Sequence, residues 1–82
     1  MGLSSYIQTA LGTAKYKLLE DGTYFGEIHG FRGVWAEGKT LEVCREELQE
    51  VLEEWILLKL RDRDPLPSIK GKTLRIPQAA GA

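Results

Sequence analysis

The chain reads as an α+β domain: a short helix, a three-stranded antiparallel meander, one long helix and a short closing strand. Three observations predict it. Two β-rich segments, 14–19 and 23–29, flank Glu20-Asp21-Gly22. Apolar residues recur every three or four positions through 40–60. Pro65 and Pro67 then stop the helical pattern.

Residues 3–12 come first. Leu3, Tyr6, Ile7, Ala10 and Leu11 fall on one helical face. Ser4 suits the start as a cap, and Gly12 suits the end in a left-handed conformation. So short a helix is marginal alone, so its stripe must dock on something.

The hairpin register follows from its loop. A two-residue loop pairs Leu19 with Tyr24 and puts lysines on the face of Ile28. A three-residue loop, with Gly22 left-handed, puts Tyr16 and Leu18 on the face of Tyr24, Gly26 and Ile28. A one-residue slip exchanges the buried and exposed sets, so the second register is expected. Gly30-Phe31-Arg32-Gly33 makes a turn with an apolar tooth. Val34 to Glu37 returns as the third strand, and Gly38-Lys39 ends it.

The long helix covers 40–60. Thr40 is a suitable N-cap, and Glu42 complements the dipole of the first turn. Leu41, Cys44, Leu48, Val51, Leu52, Trp55 and Leu58 form its stripe. Near its end Trp55, Ile56, Leu57, Leu58 and Leu60 almost surround the axis, more than one sheet face covers. Thr73 to Ile76 suits a short final strand, bounded by Pro77, and 78–82 a frayed tail.

With 82 residues the chain has room for one domain, over 1–77. A domain of this size buries only about 60–65% of its unfolded surface, so association is the expected source of extra stability. A single cysteine, Cys44, allows no internal disulfide, and with one histidine it makes a structural zinc site unexpected. No cofactor or metal is expected. A net charge of −1 gives no general attraction to nucleic acid or an acidic membrane. No apolar run approaches a membrane span, and the first residues lack a secretory pattern. Tyr6 stands where a myristoylation signal places Ser or Thr. A cytoplasmic location is the expectation.

The stretch from Tyr16 to Pro67 resembles the HicB-like antitoxin domain. The resemblance rests on Asp21-Gly22-Thr23-Tyr24-Phe25-Gly26-Glu27-Ile28, then Gly33-Val34, then Glu37-Gly38-Lys39-Thr40-Leu41-Glu42, in that order and spacing. That family has a glycine-led hairpin with a small residue in its second strand, a Pro-Gly turn, a Gly-x-Thr-x-Glu helix start, a long amphipathic helix and a proline exit. This chain departs from it at His29 and Arg32, where proline is usual, and in its added helix at 3–12. Full-length members of that family carry a C-terminal DNA-binding domain, helix-turn-helix or ribbon-helix-helix; after Pro67 only about fifteen residues follow, too few for a helix-turn-helix. The resemblance implies a β-β-β-α-β fold related to part of a ribonuclease-H-like sheet. It also implies a HicA-like partner, a small mRNA-cleaving toxin whose basic surface the antitoxin covers.

Glu42, Glu46, Glu50 and Glu54 are spaced by four and form one like-charged ridge. Such a ridge costs a few tenths of a kcal/mol for each pair. It is either a solvated face or an acidic surface for a basic partner. Phe31, in a turn, is exposed unless something covers it. Trp35 alternates with Val34 and Ala36 and leaves the sheet's other face, either to anchor a partner or to pack on the 3–12 helix. Phe31, Trp35 and the ridge are the candidate partner interface. Trp55, Ile56, Leu57 and Leu60 are the candidate self-association surface. Catalytic residues are not expected: Glu27 and Glu37 on the strands have no sheltered partner, His29 no positioned one, and Cys44 reads as an inert buried thiol. Lys15, Lys17, Lys70, Lys72 and Arg75 lack the interleaved aromatics of a nucleic-acid surface.

Three readings follow: an antitoxin-like binding module, a self-associating structural module (dimer or tetramer) without a toxin, and a small nuclease-like enzyme.

Overall fold

The hairpin is set by its three-residue loop. Leu19 donates its N–H to Thr23 at 2.7 Å, and Gly22 donates to Leu19 at 3.0 Å with φ at 88°. Asp21 closes the turn through its carboxylate, which accepts from the Thr23 N–H at 3.0 Å and the Thr23 hydroxyl at 2.6 Å. These bonds hold the Asp21 carboxyl below its ordinary range. Strands β1 (Lys15–Leu18) and β2 (Tyr24–Glu27) therefore pair Tyr16 with Gly26 and Leu18 with Tyr24, the expected register. Strand β3 (Trp35–Gly38) pairs with β2, Gly26 opposite Ala36, and the antiparallel order is β1-β2-β3.

This computed structural model describes residues 2–69. The strand expected at 73–76 and the tail at 78–82 lie outside the described residues.

Helix α1 (Leu3–Gly12) and helix α2 (Leu41–Arg61) complete the α+β arrangement. Helix α1 buries Tyr6 and Ala10 and half-buries Ile7 and Leu11, as its stripe predicts. Its ends differ from expectation. The N-cap is Gly2, so Ser4 sits inside the first turn. Gly12 stays helical, and Thr13 closes the helix by donating its hydroxyl and N–H to Ala10. A hydroxyl that reaches back to the freed carbonyl makes a left-handed glycine unnecessary. The helix lies against α2. Its Tyr6 hydroxyl donates to the carbonyl of Pro67, beyond the end of α2.

Helix α2 is capped by Thr40, whose hydroxyl accepts from the Val43 N–H at 3.1 Å. Its buried residues are Cys44, Leu48, Leu52 and Ile56, all four apart. Four residues turn about 400°, so this seam drifts about 40° per turn around the axis. That drift corrects the expected stripe: Leu41 and Leu58 are exposed, and Ile56 carries the seam's end. The seam starts under the sheet. There Gly26 and Gly38 leave space: a Cβ on Gly26 would sit 2.7 Å from the Tyr16 ring, and one on Gly38 would sit 2.5 Å from the Cys44 nitrogen. Helix α2 ends before the prolines act. Asp64 N–H donates to Lys59 and Arg63 N–H to Leu60, with Arg63 left-handed at φ 58°, a Schellman closure built on arginine.

Candidate functional site

The loop between β2 and β3 is two tight turns in series. Phe31 donates to Ile28 at 3.2 Å and Val34 donates to Phe31 at 3.0 Å. Gly30 and Gly33 occupy the third position of each turn with φ of 84° and 86°, as type II turns require. The residue between the turns is driven inward. Phe31 is 4% exposed, with its ring centroid 6.2 Å from Tyr6 and 5.1 Å from Trp55. The expectation of Phe31 as an interface tooth is thereby corrected: α1 and α2 cover it, and it belongs to the core.

The self-association set divides in the same way. Ile56 is buried in the core cluster, which corrects its assignment to an open surface. Trp55 is half-buried, donates its indole N–H to Arg32 at 3.0 Å, and carries the Lys59 ammonium 5.0 Å from its ring centre. Leu60 is half-buried against the core. What remains open at this end is Leu57, 63% exposed, with its neighbour Leu58.

Glu42, Glu46, Glu50 and Glu54 are all exposed. Each stands two residues, about 200°, from a member of the buried seam. The ridge and the seam therefore run round α2 together on opposite sides, the ridge starting on the side away from the sheet and drifting with the seam by about 40° per turn. Among the described residues none of the four carboxylates has a cation within 4.0 Å. Glu53, beside the ridge, accepts from Gln49 at 3.0 Å.

Trp35 lies on the other side of the molecule. It is 53% exposed on the face of the sheet that α2 does not cover, stacked on Phe25 at 5.9 Å. Helix α1 packs on α2 and leaves this face open, so the alternative of Trp35 against α1 is not what the fold does. Trp35 and the start of the ridge lie on opposite layers, so a flat partner seated on Glu42 and Glu46 does not reach Trp35. Sequence spacing alone groups these residues because it has no way to assign opposite layers.

The titratable candidates are placed as follows. His29 is exposed at the first turn of the β2–β3 loop. The Cys44 thiol donates to Ala36 at 3.6 Å, and burial, with Glu37 nearby, raises its pKa. Burial also raises the Tyr16 phenol, and the neighbouring Arg45 guanidinium opposes this in part. Among the described residues no three His, Cys, Asp or Glu side chains converge as a metal site. No helix among them is long and apolar enough to cross a membrane.

A meander backed on one side by a single helix defines a small two-layer α+β domain. The UPF0150-like family matches residues 5–67, most of the chain, and the chain belongs to that family. UPF0150 is a small family related to HicB. The crystal structure of TTHA0281 from Thermus thermophilus superposes with a TM-score of 0.86 at 38% identity, covering 94% of this chain and 98% of that one. No curated protein matches the chain.

Proposed function

We propose that this chain is a protein-binding module of the HicB antitoxin kind. It neutralises a small HicA-like, mRNA-cleaving toxin by laying the α2 ridge across the toxin's basic surface. The observation that carries this reading is the ridge itself: four exposed carboxylates in one row, unpaired among the described residues and turned away from the core. Such a row is held at a cost to the helix, since like charges one turn apart repel. A basic partner relieves the repulsion and is steered by the field of the row. Membership of a HicB-related family supports the same reading.

The test is co-expression with a small basic HicA-like protein, taken from the adjacent reading frame if one is present. A complex on size exclusion and rescue of growth are expected, and both are lost in a Glu46→Lys, Glu50→Lys variant. Absence of a complex with the wild-type chain overturns the reading. A self-associating structural module is the second reading, favoured by the open Leu57 and Leu58 at the end of α2. Dimerisation abolished by Leu57→Ser would support it.

A further inference from the structure

The ridge surface makes no use of the outer face of the sheet, and that face has a pattern of its own. The strand register sets two rows across it. One row is Lys17, Phe25 and Glu37; the other is Lys15, Glu27 and Trp35. Both cations stand on β1 and the aromatic stack bridges β2 and β3, with the Lys17 ammonium 5.6 Å from the Phe25 ring centre. Positive charge thus lies along one edge, and Glu37 lies on the opposite edge at the height of Lys17.

We propose that a second copy of this chain covers this face, related by a two-fold axis that runs along β2 between the two sheets. Charge complementarity selects that axis. It exchanges β1 with β3 and keeps each row at its own height. Lys17 then meets Glu37 of the second copy, and Phe25 meets its own equivalent. Lys15 comes over the Trp35 indole, a cation on an aromatic face. Glu27 meets its equivalent on the axis, flanked by Lys15 from both copies. A two-fold across the strands would instead place β1 lysines over β1 lysines, like charges face to face. Sheets stacked along their strands pack within about 30° of parallel, which this arrangement permits. Three strands about 4.8 Å apart and four residues long give a patch on the order of 200 Å² in projection. Over both copies that is on the order of 400 Å², well under the roughly 1,200 Å² of a standard specific interface, so a dimer held by these strands alone is weak and strongly concentration-dependent.

Sedimentation of the full chain alone, over about 10–500 µM at low salt, tests this independently of any toxin. The wild type is expected to show a monomer–dimer equilibrium. Lys17→Glu and Glu37→Lys are each expected to weaken it about tenfold, and the double reversal to restore it. Trp35→Ala is expected to weaken it as well. All three side chains are exposed, so circular dichroism of each variant should match the wild type. A wild type that stays monomeric overturns the proposal and leaves the face to residues 70–82 or to a different protein. A dimer indifferent to the single reversals also overturns it, moving the contact elsewhere, for example to Leu57 and Leu58. Single reversals that weaken without rescue by the double variant overturn the pairing.

Discussion

Gly26 shows how much one missing methyl group decides. Its Cα lies under the Tyr16 ring and over the Cys44 sulfur, and a Cβ would stand 2.7 Å from the ring and 3.1 Å from Sγ. Gly26→Ala is therefore expected to destabilise by about 1–3 kcal/mol in urea denaturation, the usual range for overpacking. The sequence marked Gly26 only as a small residue in the second strand; its reason is a contact between three elements. Tyr6 is the other decisive side chain. Fully buried, its phenol is raised from the ordinary 10.0 to about 12. The folded state thus holds this proton more tightly than the unfolded chain. Its stabilising share is complete below pH 10 and is lost as the pH climbs from 10 towards 12. Alkaline unfolding of a Tyr6→Phe variant should lack that share while keeping the part due to Tyr16, as followed by far-ultraviolet circular dichroism.

At the scale of elements, the periodicity of α2 was legible from its spacing, its Thr40 cap included. The direction of the buried seam was not, because a three-four alternation and a strict four-residue row use many of the same side chains. Only the location of the sheet and α1 tells Ile56 from Leu58. The hairpin loop was legible because one register alone gathers Tyr16, Gly26 and Ile28. Phe31 was not: a residue between two turns points in or out according to the left-handed glycines that flank it. The same turns explain the family's prolines. His29 and Arg32 occupy the second position of each turn, where φ near −60° suits proline. His29→Pro is expected to raise stability by about 0.4–1 kcal/mol, read as a higher Tm, since it narrows the unfolded ensemble. At the other end of α2, Arg63 holds the left-handed position that glycine occupies without strain. Arg63→Gly should stabilise by up to about 1 kcal/mol in the same assay.

Across the whole molecule, two surfaces face in opposite directions: a row of carboxylates on the back of α2, and a mixed aromatic and charged face on the sheet. Each is a reason why a domain this small keeps surface that does not serve its own stability. Glu50→Lys tests that tension directly. It replaces two repulsions, with Glu46 and Glu54, by two attractions one turn apart, worth up to about 1 kcal/mol together. The variant is expected to melt higher than the wild type and to bind the basic partner more weakly, with a shallower dependence on salt. A variant that melts higher but binds the partner as tightly as the wild type would show that the row is an ordinary solvated face. Alternation in the strands had put Trp35 on its own face. That the glutamates run opposite the seam was also implicit in their shared spacing. Which of these surfaces lie back to back was not, because sequence spacing carries no information about layers.

The hydrogen bond from Tyr6 to Pro67 spans 61 positions of sequence. Through it the first helix and the segment that leaves α2 hold each other in place, so neither can peel away singly. They should behave as one cooperative unit in native-state deuterium exchange, the amides of Leu3–Gly12 gaining label together with the 66–69 segment and before the centre of α2. Cutting that one hydroxyl would uncouple the two ends in time while the three strands between them stay protected.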